Sequence, residues 1–92
     1  MLFLARMDVQ FPTHLSPEDV SRAQTLEKEY SQTLQKEGRL ASIWRVVGEY
    51  ANYSIFDVAS NDELHNILSG FPMYPYMKIK ITPLAKHPNS MR

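Results

Sequence analysis

A carboxylate set among apolar side chains is the feature of this chain that most directly suggests chemistry. Val20, Ala23, Tyr30 and Leu34 recur at helical spacing as one apolar stripe, and Glu27 falls inside it. Ionised carboxylates avoid such places unless paired, and burial raises their pKa towards the range in which a glutamate acts as a general base. A partly exposed edge glutamate, or one half of a structural ion pair, fits the same spacing, and periodicity leaves these readings open. Arg45 is the second candidate. It alternates with Trp44 and Val46 on an apolar stretch, with Ile43 and Val47 on its own face. Its planar guanidinium suits a carboxylate, either that of Glu27 or that of a ligand. Tyr50, Asn52, Tyr53 and Ser54 then gather hydrogen-bonding groups on one short segment. Such groups orient a carbonyl, although aromatic residues in strands more often serve packing.

The other reactive residue types form no recognisable site. His14, His65 and His87 are scattered, without the paired spacing of zinc or iron ligands. The three glycines are isolated, so no phosphate-cradling loop is present, and no serine sits in a nucleophile elbow. The chemistry expected is that of acids, bases and dipoles, with no metal and no cofactor.

The elements that must position these groups are legible from periodicity. Phe3, Ala5, Met7, Val9 and Phe11 alternate with Arg6, Asp8 and Gln10, the period of a half-buried strand that Pro12 ends. Ser16-Pro17-Glu18-Asp19 is a helix start of the capping-box kind, and the helix is predicted from about Pro17 to Glu37, with Gly38 to stop it. Ile43 to Val47 reads as a buried strand, Gly48-Glu49 as a turn, and Tyr50 to Val58 as the second arm of a hairpin. Ser60-Asn61-Asp62-Glu63 repeats the cap before a short helix carrying Leu64, Ile67 and Leu68, which Gly70 should end. After the turn-rich Phe71-Pro72-Met73-Tyr74-Pro75, the residues Met77, Ile79 and Ile81 make the last strand. The order β-α-β-β-α-β with right-handed crossovers predicts an α+β, ferredoxin-like sandwich, an antiparallel sheet with both helices on one face. The tail from about residue 83 has no clear period, and reads either as a frayed terminus or as an arm that wraps a neighbouring subunit.

Composition narrows the function. At 92 residues the chain is one domain that buries only about 60–65% of its unfolded surface. It has no cysteine, so neither disulfides nor thiolate zinc reinforce a small core, and oligomer contacts are the expected substitute. Ten basic residues balance ten acidic ones, a poor match for nucleic acid. No apolar run is long enough for a signal peptide or a membrane span, which predicts a soluble, cytoplasmic protein.

Particular motifs add a family resemblance. Met1-Leu2-Phe3, Glu27-Lys28-Glu29, Leu34-Gln35, Glu37-Gly38, Trp44-Arg45, Tyr50-Ala51-Asn52-Tyr53-Ser54, Phe56-Asp57-Val58, Pro75-Tyr76-Met77 and His87-Pro88 resemble the muconolactone isomerase pattern over nearly the whole chain. The chain departs from it at Leu4 and Arg6, where members often carry histidine and lysine. The resemblance implies a ferredoxin-like fold assembled into dimers and then a ring-like homo-oligomer, a decamer, with sites between helices and sheet. It also implies a small-molecule lactone substrate and no cofactor. The implied reaction converts muconolactone to 3-oxoadipate enol-lactone in catechol ortho-cleavage, through a furan-type dienolate. In that setting Glu27 is the candidate base, Arg45 the clamp on the substrate carboxylate, and Tyr50, Asn52 and Ser54 the groups around the carbonyl. Competing expectations are a chloromuconolactone dehalogenase of the same family, a non-catalytic ferredoxin-like ligand-binding module in which Glu27 and Arg45 pair, and a cofactor-independent monooxygenase.

Overall fold

Ser16 and Ser60 open the helices through their hydroxyls. In the computed structural model, which describes residues 1–92, Ser16 Oγ accepts from the Asp19 N–H at 3.1 Å and α1 runs Pro17–Lys36. Ser60 Oγ accepts from the Glu63 N–H at 3.1 Å at the start of α2, Asn61–Ser69. The reciprocal bond of a capping box, from the N-cap N–H to the third-residue carboxylate, forms in neither helix. Glu63 is long enough to reach back and accept from the Ala59 N–H at 2.8 Å, whereas the shorter Asp19 pairs with Arg22 at 3.2 Å. Helix α1 ends where Gly38 takes a φ of 77°, a left-handed conformation that only glycine adopts without strain.

Four strands, β1 Leu2–Val9, β2 Leu40–Arg45, β3 Ala51–Asp57 and β4 Met77–Leu84, form one antiparallel sheet in the order β2-β3-β1-β4. This is the ferredoxin-like arrangement anticipated from the element order. The differences lie at the strand ends. The predicted strand Ile43–Val47 in fact begins at Leu40 and stops at Arg45, because the Val46 N–H bonds Ala51 O at 3.0 Å and the chain then turns through Gly48, φ 81°. Val47 is 96% exposed in that turn, so its β-branched side chain belongs to no strand face. Tyr50 also lies in the turn, one residue before β3. At the other end, β4 runs past Pro83 to Leu84; Pro83 faces Phe3 on the sheet's edge strand, where its missing N–H costs no ladder bond.

The pleat sorts side chains as the alternation requires. Phe3, Ala5 and Met7 lie opposite Phe56, Ser54 and Asn52 on the face under the helices, and Leu34, Leu40, Leu64, Ile67 and Phe71 close the core over them. Tyr30 ties the two helices together: its hydroxyl donates to Ile67 O at 2.7 Å and its ring meets Phe71 edge-on at 4.7 Å. A Cβ at Gly70 would lie 2.6 Å from that hydroxyl. Gly70→Ala should therefore destabilise the protein by about 1–3 kcal/mol in urea unfolding, the range for overpacking. Tyr30→Phe in the same background should recover part of the loss; no recovery would place the strain elsewhere.

The opposite sheet face is uncovered. Leu4, Ile55 and Tyr53 lie on it beside Trp44, which is 68% exposed. Arg6 sits among them, bonded to Asp8 and Glu49 at 3.0 Å each and to the Tyr53 hydroxyl at 3.3 Å. Leu4 and Arg6 thus both fall on this face, away from the helices.

Candidate active site

Helix α1 meets the sheet through its C-terminal half. Leu34 is buried and Tyr30 packs on the core, but Val20 and Ala23 are only half-buried. The gap left beneath the helix is a cleft of about 760 Å³, bounded by α1, the sheet, the β2–β3 turn and the segment after α2. Met7, Val9, Ala51, Phe71 and Met73 give it an apolar lining, and Glu27, Lys28, Arg45, Tyr50 and Asn52 supply polar groups.

Glu27 is half-buried in this cleft. Burial pushes its carboxyl above the ordinary carboxylate range, and a hydrogen bond from the Met73 N–H to Oε1, 3.0 Å long, offsets part of that rise. Its Oε2 has no hydrogen-bond partner, and Glu27 forms no ion pair with Arg45 or any other cation. The structural pair that the sequence left open is therefore not formed. Arg45, the last residue of β2, lies opposite Asn52 and reaches the cleft with no carboxylate bonded to it. Lys28 is likewise unpaired, while Glu49, the other acid on the lining, is engaged by Arg6.

Asn52 and Tyr50 occupy the wall between these charges. The Asn52 Oδ1 accepts from Ser54 Oγ at 2.8 Å, which leaves the amide NH2 free to donate. Ser54 itself is 0% exposed and does not line the cleft; it lies on the core side of Asn52, where its hydroxyl holds the Asn52 Oδ1. The Tyr50 hydroxyl accepts from Gln24 Nε2 at 3.0 Å, a strap from the hairpin turn to α1. The Tyr50 ring lies against Phe11, centroids 6.2 Å apart. Of the residues singled out from sequence, Glu27, Arg45, Tyr50 and Asn52 meet at one cleft; His14, His65 and His87 do not.

Sequence reasoning missed Gln24, Lys28 and Met73. Gln24 was findable, since it precedes Glu27 by one helical turn on the same face. Met73 had no local signal, because it acts through a backbone N–H donated across 46 positions of chain. The set of groups supports one proton transfer, an anion clamp and hydrogen-bond donors for developing negative charge.

The family described as muconolactone delta-isomerase matches residues 1–90. The chain belongs to that family. The "Muconolactone Delta-isomerase" of Cupriavidus pinatubonensis is 58% identical over 92 residues, the whole length of both chains. That of Acinetobacter baylyi is 51% identical, covering 100% of this chain and 96% of its own. A crystal structure of muconolactone isomerase superposes with a TM-score of 0.95 at 42% identity, over 100% of this chain and 96% of that one. Similarity therefore spans the complete fold, including the elements that build the cleft.

Proposed function

We propose that the protein is a muconolactone delta-isomerase that converts muconolactone to 3-oxoadipate enol-lactone, with Glu27 as the single base. The observation that carries this reading is the unpaired, half-buried Glu27 carboxylate facing a cleft that also holds an unpaired Arg45. Glu27 Oε2 removes the proton from the ring carbon bearing the acetate arm. The electrons of that C–H bond form the new ring double bond, and those of the old one move towards the carbonyl, giving a furan-type dienolate. The same carboxyl then delivers the proton to the carbon beside the carbonyl. Arg45 holds the acetate carboxylate, and the Asn52 NH2 and Tyr50 hydroxyl face the oxygen on which charge develops. Charge delocalised over the ring lowers the demand on the protein, so positioned donors suffice and no cofactor is invoked.

Mixing the protein with muconolactone in the presence of a chelator, and following the product spectroscopically, tests the assignment. Turnover indifferent to the chelator supports it; binding without turnover favours a ligand-binding module instead.

The working form we propose is a cytoplasmic homo-oligomer built from sheet-to-sheet dimers, with a decamer as the complete ring. The support is the exposed Trp44, Tyr53 and Leu2 on a short chain without cysteine. Sedimentation at low concentration should show the oligomer, and Trp44→Asp should shift it to smaller species. A folded, active monomer of the unaltered protein would contradict the assembly.

A further inference from the structure

Met73 touches Glu27 with its backbone, and the surrounding segment is built to hold that N–H still. Phe71 and Met73 are buried, the Tyr74 N–H bonds Phe71 O at 2.9 Å, and the Tyr76 N–H bonds Met73 O at 2.8 Å. The donor therefore sits in a rigid turn between α2 and β4, while its acceptor sits on α1. Only Oε1 is engaged. A carboxyl with both oxygens free rotates about its last torsion, a broad and soft one, and can carry a captured proton away from the substrate.

We propose that the main-chain N–H of Met73 is a positioning group for the reaction: it fixes Oε1 of Glu27, so that Oε2 alone takes the proton and returns it to the same ring face. This rests on the reading of Glu27 as the base. Two consequences follow. The bond favours the charged form and keeps the base available despite its burial, and the anchored carboxyl returns the substrate's own proton in preference to one from solvent. The other charged or titratable groups around Glu27 are Lys28 and Tyr30 on α1, Arg45 on β2, and Glu49 and Tyr50 in the hairpin turn. None of them hydrogen-bonds to its carboxylate. From β1 and the segment after α2, the cleft receives only Met7, Val9, Phe71 and Met73.

Replacing Met73 by its α-hydroxy analogue in the full-length chain turns this amide into an ester, deleting one N–H and leaving the side chain in place. Substrate deuterated at the ring carbon bearing the acetate arm then reports the fate of the proton. The ester variant should lose about tenfold in turnover, move the acidic limb of the rate–pH profile up by about one pH unit, and return a smaller share of deuterium to product than the unaltered protein. Glu29→Gln, at an exposed position off the cleft, should change neither the limb nor the label. An ester variant with the unaltered limb and label return would overturn the proposal, as would complete loss of label in the unaltered protein. Glu27→Gln separates the two claims: activity retained there removes the base itself, whereas activity lost there with a silent ester removes only the positioning role. Should the ester chain fail to fold, the Met73 amide proton of the unaltered protein decides by NMR. It should titrate with the midpoint of the acidic limb and cease to do so in Glu27→Gln; an amide signal indifferent to pH would overturn the proposal.

Discussion

Glu27→Gln is expected to keep the fold and the oligomer while turnover falls by about 10²–10⁴-fold, the usual worth of general acid–base catalysis. The amide oxygen of glutamine still accepts from the Met73 N–H at the Glu27 position, so the local geometry has no reason to collapse. What disappears is the proton-accepting group. Glu29→Gln is the internal control: Glu29 is exposed and does not line the cleft, so turnover should change little. The pH dependence has a definite sign. Burial places the folded-state pKa of Glu27 above its ordinary value, so activity should rise with pH through that raised value, and this acidic limb should vanish in the variant. Stability runs the other way. Because the folded state holds this proton more tightly than the unfolded chain does, Glu27 favours folding below its ordinary pKa. That contribution is lost as pH rises through the folded value. At neutral pH the variant should therefore melt no lower than the parent and somewhat higher, whereas a structural ion pair would make it melt lower. Activity retained in a well-folded variant would overturn the mechanism.

What the sequence disclosed of this fold follows from how local each cause is. The serine caps, Gly38 and the alternation along β1 act over a few residues, and each puts its element where the spacing predicts. The β2–β3 turn falls at Gly48-Glu49 as its glycine signals, but propensity makes it too short, because Val46 and Val47 look like strand residues. What ends β2 is the hairpin bond from Val46 to Ala51 together with the positive φ of Gly48, and neither shows in a β-branched pair. The site divides in the same way. Glu27 was conspicuous as a charge within an apolar stripe, and Arg45 as a charge on an apolar strand. Ser54 looked like a ligand group because its segment is rich in hydroxyls and amides, but strand alternation puts Ser54 and Asn52 on one face at different depths. Only Asn52 reaches the cleft. That distinction depends on how far α1 stands off the sheet, which is set by tertiary packing at Tyr30 and Leu34 and has no local signature. The Met73 donor is less local still, since any residue type but proline offers the same N–H.

Arg45→Met should weaken substrate binding by about 2–4 kcal/mol while the protein folds normally. Folding is expected to survive because Arg45 ends β2 at an exposed position and holds no ion pair, so removing its charge strands no buried acid. Methionine keeps much of the apolar stem, which isolates the loss of the guanidinium. The competing clamp is Lys28, also on the cleft and also unpaired. Geometry distinguishes them. A guanidinium grips both oxygens of a carboxylate at once, whereas an ammonium is a point charge on a flexible stem. Arg45→Lys should thus recover only part of the binding, and Lys28→Met should cost less than Arg45→Met and lose most of its effect at high salt. Because the acetate arm keeps its charge throughout the reaction, the loss should appear mainly in KM, with kcat nearly unchanged. A large fall in kcat at unchanged KM would instead place Arg45 at the developing oxyanion. Normal binding and turnover in Arg45→Met, with a large loss in Lys28→Met, would transfer the clamp to α1.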